Sequence, residues 1–484
     1  MVENFWDMLD LVVKSGKVVL PHVGVIDAEI GVESGKIKII AKNIEEKAES
    51  IINAKDCIVT PGIVDSHFHA GIYRPLAQDA KSESSSAASG GVTTVLSYFR
   101  SGKNYLNSSE DYSQLFPKVL EQSKNSFKVD YGYNLAPIKK KHVNEIDELV
   151  DKYGVTTFKF YMFYKGLNLK SEIPGASVEK EYLLSDDKYD LGHLWSIMKA
   201  VQQKKEKGAR LSIHAEEYEL IRIFMEQARK EYSDGKVNAM QAYSMARPPE
   251  SEKVAIREAA TMAQLLGCPI NILHVSSRLA IETIAEIKKQ NADIDLMAEV
   301  TASHLSLTND SINGIVGKVN PPIRSNDDKE ALWKALREGF VDTIASDHAC
   351  LTKEQKGTEL WSAENGYGAT ELMVPGVLSE GFFKRDVPLE KLITMLTFNP
   401  AKFHAVSGRK GNLMIGYDAD IAIIDMKKEK RVKSSDLHSA QDFTPFENIN
   451  LKGWPRTTIL RGNVVYNEGE VYDGFKGEFL KRPL

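Results

Sequence analysis

The chain has 484 residues, 42% of them hydrophobic and 27% charged, with a formal net charge of -5. That is ordinary globular composition, long enough for one large domain and a smaller one, and its mild acidity gives no reason to expect nucleic acid or an anionic membrane as partner. No apolar run reaches membrane-spanning length, the N-terminus is acidic where a signal peptide is basic, and the three cysteines, Cys57, Cys268 and Cys350, are widely spaced. A soluble cytoplasmic protein is expected.

The first sixty residues read as short strands at 11–14, 17–20, 28–32 and 36–40, with Gly16 and Ser34-Gly35 as hairpin turns between them. That is too little chain for an independent β domain. After residue 57 the pattern becomes strands alternating with helical stretches. Apolar segments lie at 58–66, 92–99, 128–136, 155–162, 211–214, 270–276, 295–300 and 341–346, separated by amphipathic or charged stretches such as 113–125, 142–153, 190–207, 251–266, 278–290 and 328–338. Such alternation means right-handed crossovers and a parallel sheet. Eight strands favour a closed (β/α)8 barrel over a doubly wound open sheet. The β pattern returns at 419–425, 457–460 and 463–466. The expected fold is therefore α/β: a (β/α)8 TIM barrel over 58–410, flanked by a small split β-sandwich domain made from 1–57 and 411–470. The last residues, 471–484, read as an extended tail that could pack on a neighbouring subunit.

In such a barrel the carboxyl ends of the strands share one mouth, whatever their separation in sequence. Strand one ends in His67-Phe68-His69, and two residues apart on an extended chain their imidazoles face the same side. Neutral imidazole is a common ligand for zinc and its neighbours. Strand four carries Lys159, strand five ends at His214, strand six at His274 and strand eight at Asp347. Singly, His214 or His274 reads as a satisfied core histidine and Asp347 as a helix N-cap. Lys159 sits between Phe158 and Phe160, where an ammonium is costly unless paired or deprotonated. A neutral lysine is nucleophilic; with carbon dioxide it becomes a carbamate, an anion able to bridge two cations. Jointly, these residues point to a metal centre.

The chain resembles the amidohydrolase superfamily, and within it the cyclic-amide hydrolases: hydantoinase, dihydropyrimidinase, allantoinase and dihydroorotase. The resemblance runs from about residue 8 to 480. Its marks include Pro61-Gly62-Ile63-Val64-Asp65-Ser66-His67-Phe68-His69, Gly90-Gly91-Val92-Thr93-Thr94, Phe158-Lys159, His214-Ala215-Glu216, Arg247-Pro248-Pro249-Glu250, His274-Val275-Ser276, Asn320-Pro321-Pro322-Ile323-Arg324, Ser346-Asp347-His348, Asn399-Pro400-Ala401 and Gly416-Tyr417-Asp418-Ala419-Asp420. It implies a barrel with a split β-sandwich and a binuclear centre, usually zinc. One ion would be held by His67, His69 and Asp347, the other by His214 and His274, with carboxylated Lys159 and a hydroxide bridging them. Asp347 would act as general base and then general acid. Family members are commonly homotetramers or homodimers, and their partner is a small cyclic amide or ureide.

The same resemblance bears on the substrate. Hydantoinases and dihydropyrimidinases have a tyrosine five residues beyond the lysine, supporting the oxyanion; that place is Tyr164 here, in Lys159-Phe160-Tyr161-Met162-Phe163-Tyr164-Lys165-Gly166. Dihydroorotases carry a carboxylate-reading arginine two residues after the second histidine; here it is Gly71, with Arg74 three residues on. Asn320 and Asn365 match the segments that contact the ring amide, Asn365 with shortened spacing before Glu371. The leading expectation is a metal-dependent cyclic amidase of the hydantoinase or dihydropyrimidinase kind. Alternatives are an allantoinase or dihydroorotase-type ureide hydrolase, a one-metal deaminase of the superfamily, which would lack the lysine ligand, or a non-catalytic scaffold, which would lack metal ligands.

Overall fold

All seven residues of Ile63–His69 are buried, as in a parallel strand covered on both faces. The computed structural model describes residues 8–102, 104–164 and 188–484; the acidic residues 1–7 and the Lys165-Gly166 end of the strand-four motif lie outside them. Ile63–His69 opens a parallel sheet that continues through Val92–Arg100, Asp130–Ala136, Thr157–Tyr161, Arg210–His214, Ile270–Ile272 and Leu296–Thr301, each strand beside the one before it. The eighth position is filled by two short pieces. Thr343–Ala345 pairs with Leu296–Thr301, and His348–Ala349 pairs with Ile63–His69, which closes the ring. The TIM barrel read from the alternation is the fold observed.

Between the two pieces the chain breaks at Ser346-Asp347, where Asp347 takes a φ of 53°. Asp65, buried on the first strand, holds the break: Ser346 donates to it from its backbone N–H at 3.1 Å and from its hydroxyl at 2.5 Å. Asp347 is thus a kink residue followed by a strand, not the cap of a helix.

Nine further strands form a second sheet, assembled from both ends of the chain: Leu9–Leu20, Gly24–Glu33, Lys36–Ala41, Ala48–Asn53 and Ile58–Pro61 with Ile421–Arg431, Asn450–Leu460, Asn463–Asn467 and Glu470–Val471. The sheet turns back on itself, since Ile37 N–H donates to Tyr417 O at 3.0 Å and Ala419 N–H to Gly35 O at 2.9 Å. Period-two alternation partitions its side chains. Ile421, Ile423 and Ile459 enter the core shared with Leu11, Val18 and Ile30, whereas Ala422, Ile424 and Leu460 face the barrel core. That double burial welds the two units together.

Three local readings differ from the structure. Leu9–Leu20 is one strand with a register shift between Val13 and Gly16, so Gly16 marks a bulge and not a hairpin turn. A Cβ at Gly16 would stand 2.4 Å from Val59 Cγ2, which explains the glycine. Ile58–Pro61 pairs with Leu9–Leu20 and Ile421–Arg431, so the first four residues of the segment read as barrel strand one lie in the second sheet. The tail packs on its own barrel: Leu480 N–H donates to Tyr131 O at 2.7 Å and Arg482 N–H to Gly154 O at 3.1 Å. The Arg482 side chain is buried there, donating to Asn134 Oδ1 at 3.0 Å.

Candidate active site

His67, His69, Lys159, His214, His274 and Asp347 all come from the carboxyl ends of barrel strands, and the structure brings them to one mouth. His67 Nε2 lies 3.2 Å and His69 Nε2 3.3 Å from Asp347 Oδ1, and Lys159 Nζ is 3.0 Å from His67 Nε2. The rings run on without a gap: His67 to His274 at 5.3 Å between centroids, His274 to His214 at 4.4 Å. In this mouth the His67, His69 and Asp347 donor atoms lie within 4.8 Å of one another, close enough to share one ion; His214 and His274 form the adjacent pair.

Burial sets the charge of this cluster. It depresses the imidazoles of His67 to about 3 and of His69 and His214 to about 4, and holds His274 well below its usual value, so all four are neutral and able to ligate near pH 7. It also lowers Lys159 to about 8. The ammonium has aromatic neighbours, with Nζ 4.4 Å from the Tyr98 ring and 4.9 Å from the Tyr161 ring. Burial would raise Asp347, but His67, His69 and Lys159 outweigh it and keep the carboxylate ionised.

Three of the four rings are steered from behind. His67 Nδ1 is 2.7 Å from Glu299 Oε1 on the seventh strand, and His69 Nδ1 is 2.7 Å from the Tyr105 hydroxyl. His214 Nε2 is 2.6 Å from Glu216 Oε2, and Arg247 Nε donates to Glu216 Oε1 at 2.9 Å with Nη2 on Oε2 at 2.5 Å. These contacts leave Nε2 of His67 and His69, and Nδ1 of His214, for the mouth. Among the described residues, His274 Nδ1 is fully buried with no hydrogen-bond partner. A buried donor set of four neutral imidazoles, a carboxylate and a lysine of lowered pKa fits a pair of divalent cations.

Tyr164 ends the short turn Met162–Tyr164 after the fourth strand and lines the pocket; burial raises its phenol, which stays protonated. Asn320 and Asn365 also line it, on two loops tied by Tyr243 from the helix Ala239–Ala246. The Tyr243 hydroxyl lies 2.5 Å from Asn320 Oδ1 and 2.9 Å from Asn365 Oδ1. One hydroxyl proton serves one amide oxygen, so the other asparagine turns its NH2 to the hydroxyl. Tyr73 OH donates to Asn365 O at 2.7 Å.

Gly71 has a φ of 81°, and a Cβ there would press on Leu76 at 3.0 Å, so this turn has no place for an arginine. Arg74 points away from the pocket: its Nη1 donates to Ser82 at 2.9 Å and pairs with Asp79 and Glu83. His348 is likewise turned aside, against Glu83 at 2.9 Å and stacked on Phe68. The residues missed in the sequence, Glu299, Tyr105 and Tyr243, come from separate elements and carry no motif; Glu299 alone left a signal, as a carboxylate in a buried strand.

The pocket over the histidines holds about 130 Å³, below the range of drug-sized ligand sites, which restricts it to a small molecule. A larger hollow of about 880 Å³ opens at the amino-terminal face, lined by Arg210, Cys268 and Asp295. Chemistry outranks size here, because none of the histidines reaches that hollow.

Comparison with known proteins agrees with this geometry. The chain is 29% identical over 481 residues to an allantoinase of Enterococcus faecalis, covering 98% of this chain and 99% of that one. It is 29% identical over 506 residues to an L-hydantoinase of Paenarthrobacter aurescens, covering 98% of each. A crystal structure of a D-hydantoinase superposes with a TM-score of 0.84 at 27% identity, covering 97% of this chain and 98% of the other. The model of the amidohydrolase family matches residues 58–465, and the chain belongs to that family.

Proposed function

We propose that this protein hydrolyses a cyclic amide, opening the ring of a hydantoin, a dihydropyrimidine or a related ureide, with two divalent cations, most simply zinc, at the barrel mouth. The observation that carries the reading is the meeting of His67, His69, Lys159, His214, His274 and Asp347, from five strand ends, in one buried cluster. Its relatives are named for hydantoin and allantoin hydrolysis, which supports the bond type and leaves the ring open.

In this reading His67, His69 and Asp347 hold one cation and His214 and His274 the other. With its pKa lowered to about 8, Lys159 has a neutral fraction whose Nζ lone pair adds to carbon dioxide. A π pair of the gas moves onto oxygen and one proton of the carboxylated ammonium leaves to solvent, giving a carbamate that would join the imidazoles and Asp347 as an anionic ligand for the cations. When bound, the cations polarise the substrate carbonyl and make water acidic enough to attack it. Asp347, kept ionised by its neighbours, accepts the proton of the attacking water and passes it to the leaving ring nitrogen. The Tyr164 hydroxyl donates to the carbonyl oxygen as charge develops. Asn320 and Asn365, fixed by Tyr243, orient the ring amide.

Among the described residues no helix is long and apolar enough to cross a membrane. Three buried free thiols support a cytoplasmic setting.

Screening the metal-loaded protein against hydantoin, dihydrouracil, allantoin, dihydroorotate and simple cyclic imides tests the function. Ring opening of at least one, lost on chelation and restored by zinc, is expected. Inertness toward all of them with both cations bound would overturn it.

A further inference from the structure

The second barrel strand, Val92–Arg100, ends in a buried guanidinium that the hydrolytic scheme does not use. Arg100 lines the same pocket as His69, Lys159 and Asp347. Its Nη1 donates to Ser101 O at 3.2 Å, and its Cζ stands 5.4 Å from the centre of the Tyr105 ring. Among the described residues that line the pocket, it is the only arginine, and Lys159 is the only lysine.

Polar groups gather on the Arg100 side of the pocket. Tyr73, Asn104 and Tyr105 stand with Arg100, and Ile72 is the apolar exception among the residues contributed by the loops after strands one and two. Arg74, the arginine nearest the histidine pair in sequence, is spent on Asp79 and Glu83.

We propose that Arg100 is a specificity-determining residue that reads a carboxylate carried on the ring of the cyclic amide substrate. A guanidinium offers a rigid fork of donors matched to a carboxylate, and its attraction grows in a pocket with little water. An acidic arm adds a charged acceptor for the guanidinium beside Ser101 O; an aliphatic or aromatic arm of the same reach adds none.

This inference rests on the cyclic-amidase reading, and one matched pair of probes separates the two. Hydantoin-5-acetate and its neutral amide, hydantoin-5-acetamide, differ by a charge at nearly constant shape. The metal-loaded wild type should favour the acid by at least about tenfold in kcat/KM, through a lower KM. In Arg100→Met and Arg100→Gln that ratio should fall to about one or below, and Arg100→Lys should recover part of it. An equal ratio in wild type and both neutral variants, with rings still opened, overturns the role of Arg100 and leaves the amidase reading standing. Should neither ring be opened, calorimetric titration of the same pair reads affinity directly. An Arg100-dependent preference for the acid then supports this assignment while the amidase reading fails, and equal affinities overturn it.

Discussion

Glu299, on the seventh barrel strand, places a carboxyl oxygen 2.7 Å from Nδ1 of His67, on the first. Ser66 Oγ and the backbone N–H of His274 lie 3.4 and 3.3 Å from the same carboxyl group, so one residue ties strands one, six and seven beneath the mouth. Burial, with Asp347 nearby, pushes Glu299 up to about 8; a cation held at the neutral His67 Nε2 would draw it back to the carboxylate, which then accepts the Nδ1 proton. Glu299→Gln should weaken metal binding by about 10- to 100-fold, read by competition with a chelator. Unchanged affinity would make Glu299 a packing residue.

Lys159→Ala should abolish metal-dependent ring opening and lower metal content, because the bridge between the cations is gone. Small carboxylic acids added to the variant should restore part of the activity by standing in for the carbamate. Full activity without them contradicts the bridging role.

Tyr164→Phe removes one hydroxyl at the pocket wall and should cost about 10²- to 10³-fold in kcat, the usual loss for one oxyanion donor. Metal content measured on the same sample should be that of the wild type. A turnover within a factor of two of wild type would leave the tyrosine with packing alone.

Lys410 is buried among Asp130 of the third barrel strand and Asp418 and Asp420 at the entry to the second sheet, 2.8 Å from each of the latter two. Lys410→Met leaves those carboxylates short of a counter-charge and should destabilise the fold by about 3–5 kcal/mol, seen as a lower unfolding midpoint. The pH dependence follows from Asp418. Burial would raise it, but Lys410, Lys36 and Arg409 outweigh that and hold it at about 2, below its ordinary 3.8. A lowered folded-state value means the contribution, about 2 kcal/mol, is complete above pH 4 and is lost as pH falls through about 2. An unfolding midpoint that is flat over that window would contradict the pairing.

The barrel was legible because its strands are short buried runs separated by helical stretches, and the six side chains at the mouth because strand ends converge whatever their sequence spacing. What stayed hidden has physical causes. The helix Leu76–Ser89 has a weakly apolar sequence, yet it buries Asp79, Glu83, Ser84 and Ser86; polar residues buried through hydrogen bonds and ion pairs leave no periodic apolar signal. The break at Ser346-Asp347 depends on Asp65, almost three hundred residues away in sequence. Tyr243 ties Asn320 to Asn365 from a separate helix, and no local pattern encodes a three-way contact. Arg74 looked available because it follows the histidine pair, but the turn at Gly71 and the helix after it direct it to Asp79 and Glu83.

If these six side chains hold two cations on one chain, elemental analysis of the purified protein after zinc loading and removal of free metal should find two zinc ions per chain in the wild type. Retention of one ion, or of none, would contradict the two-cation reading.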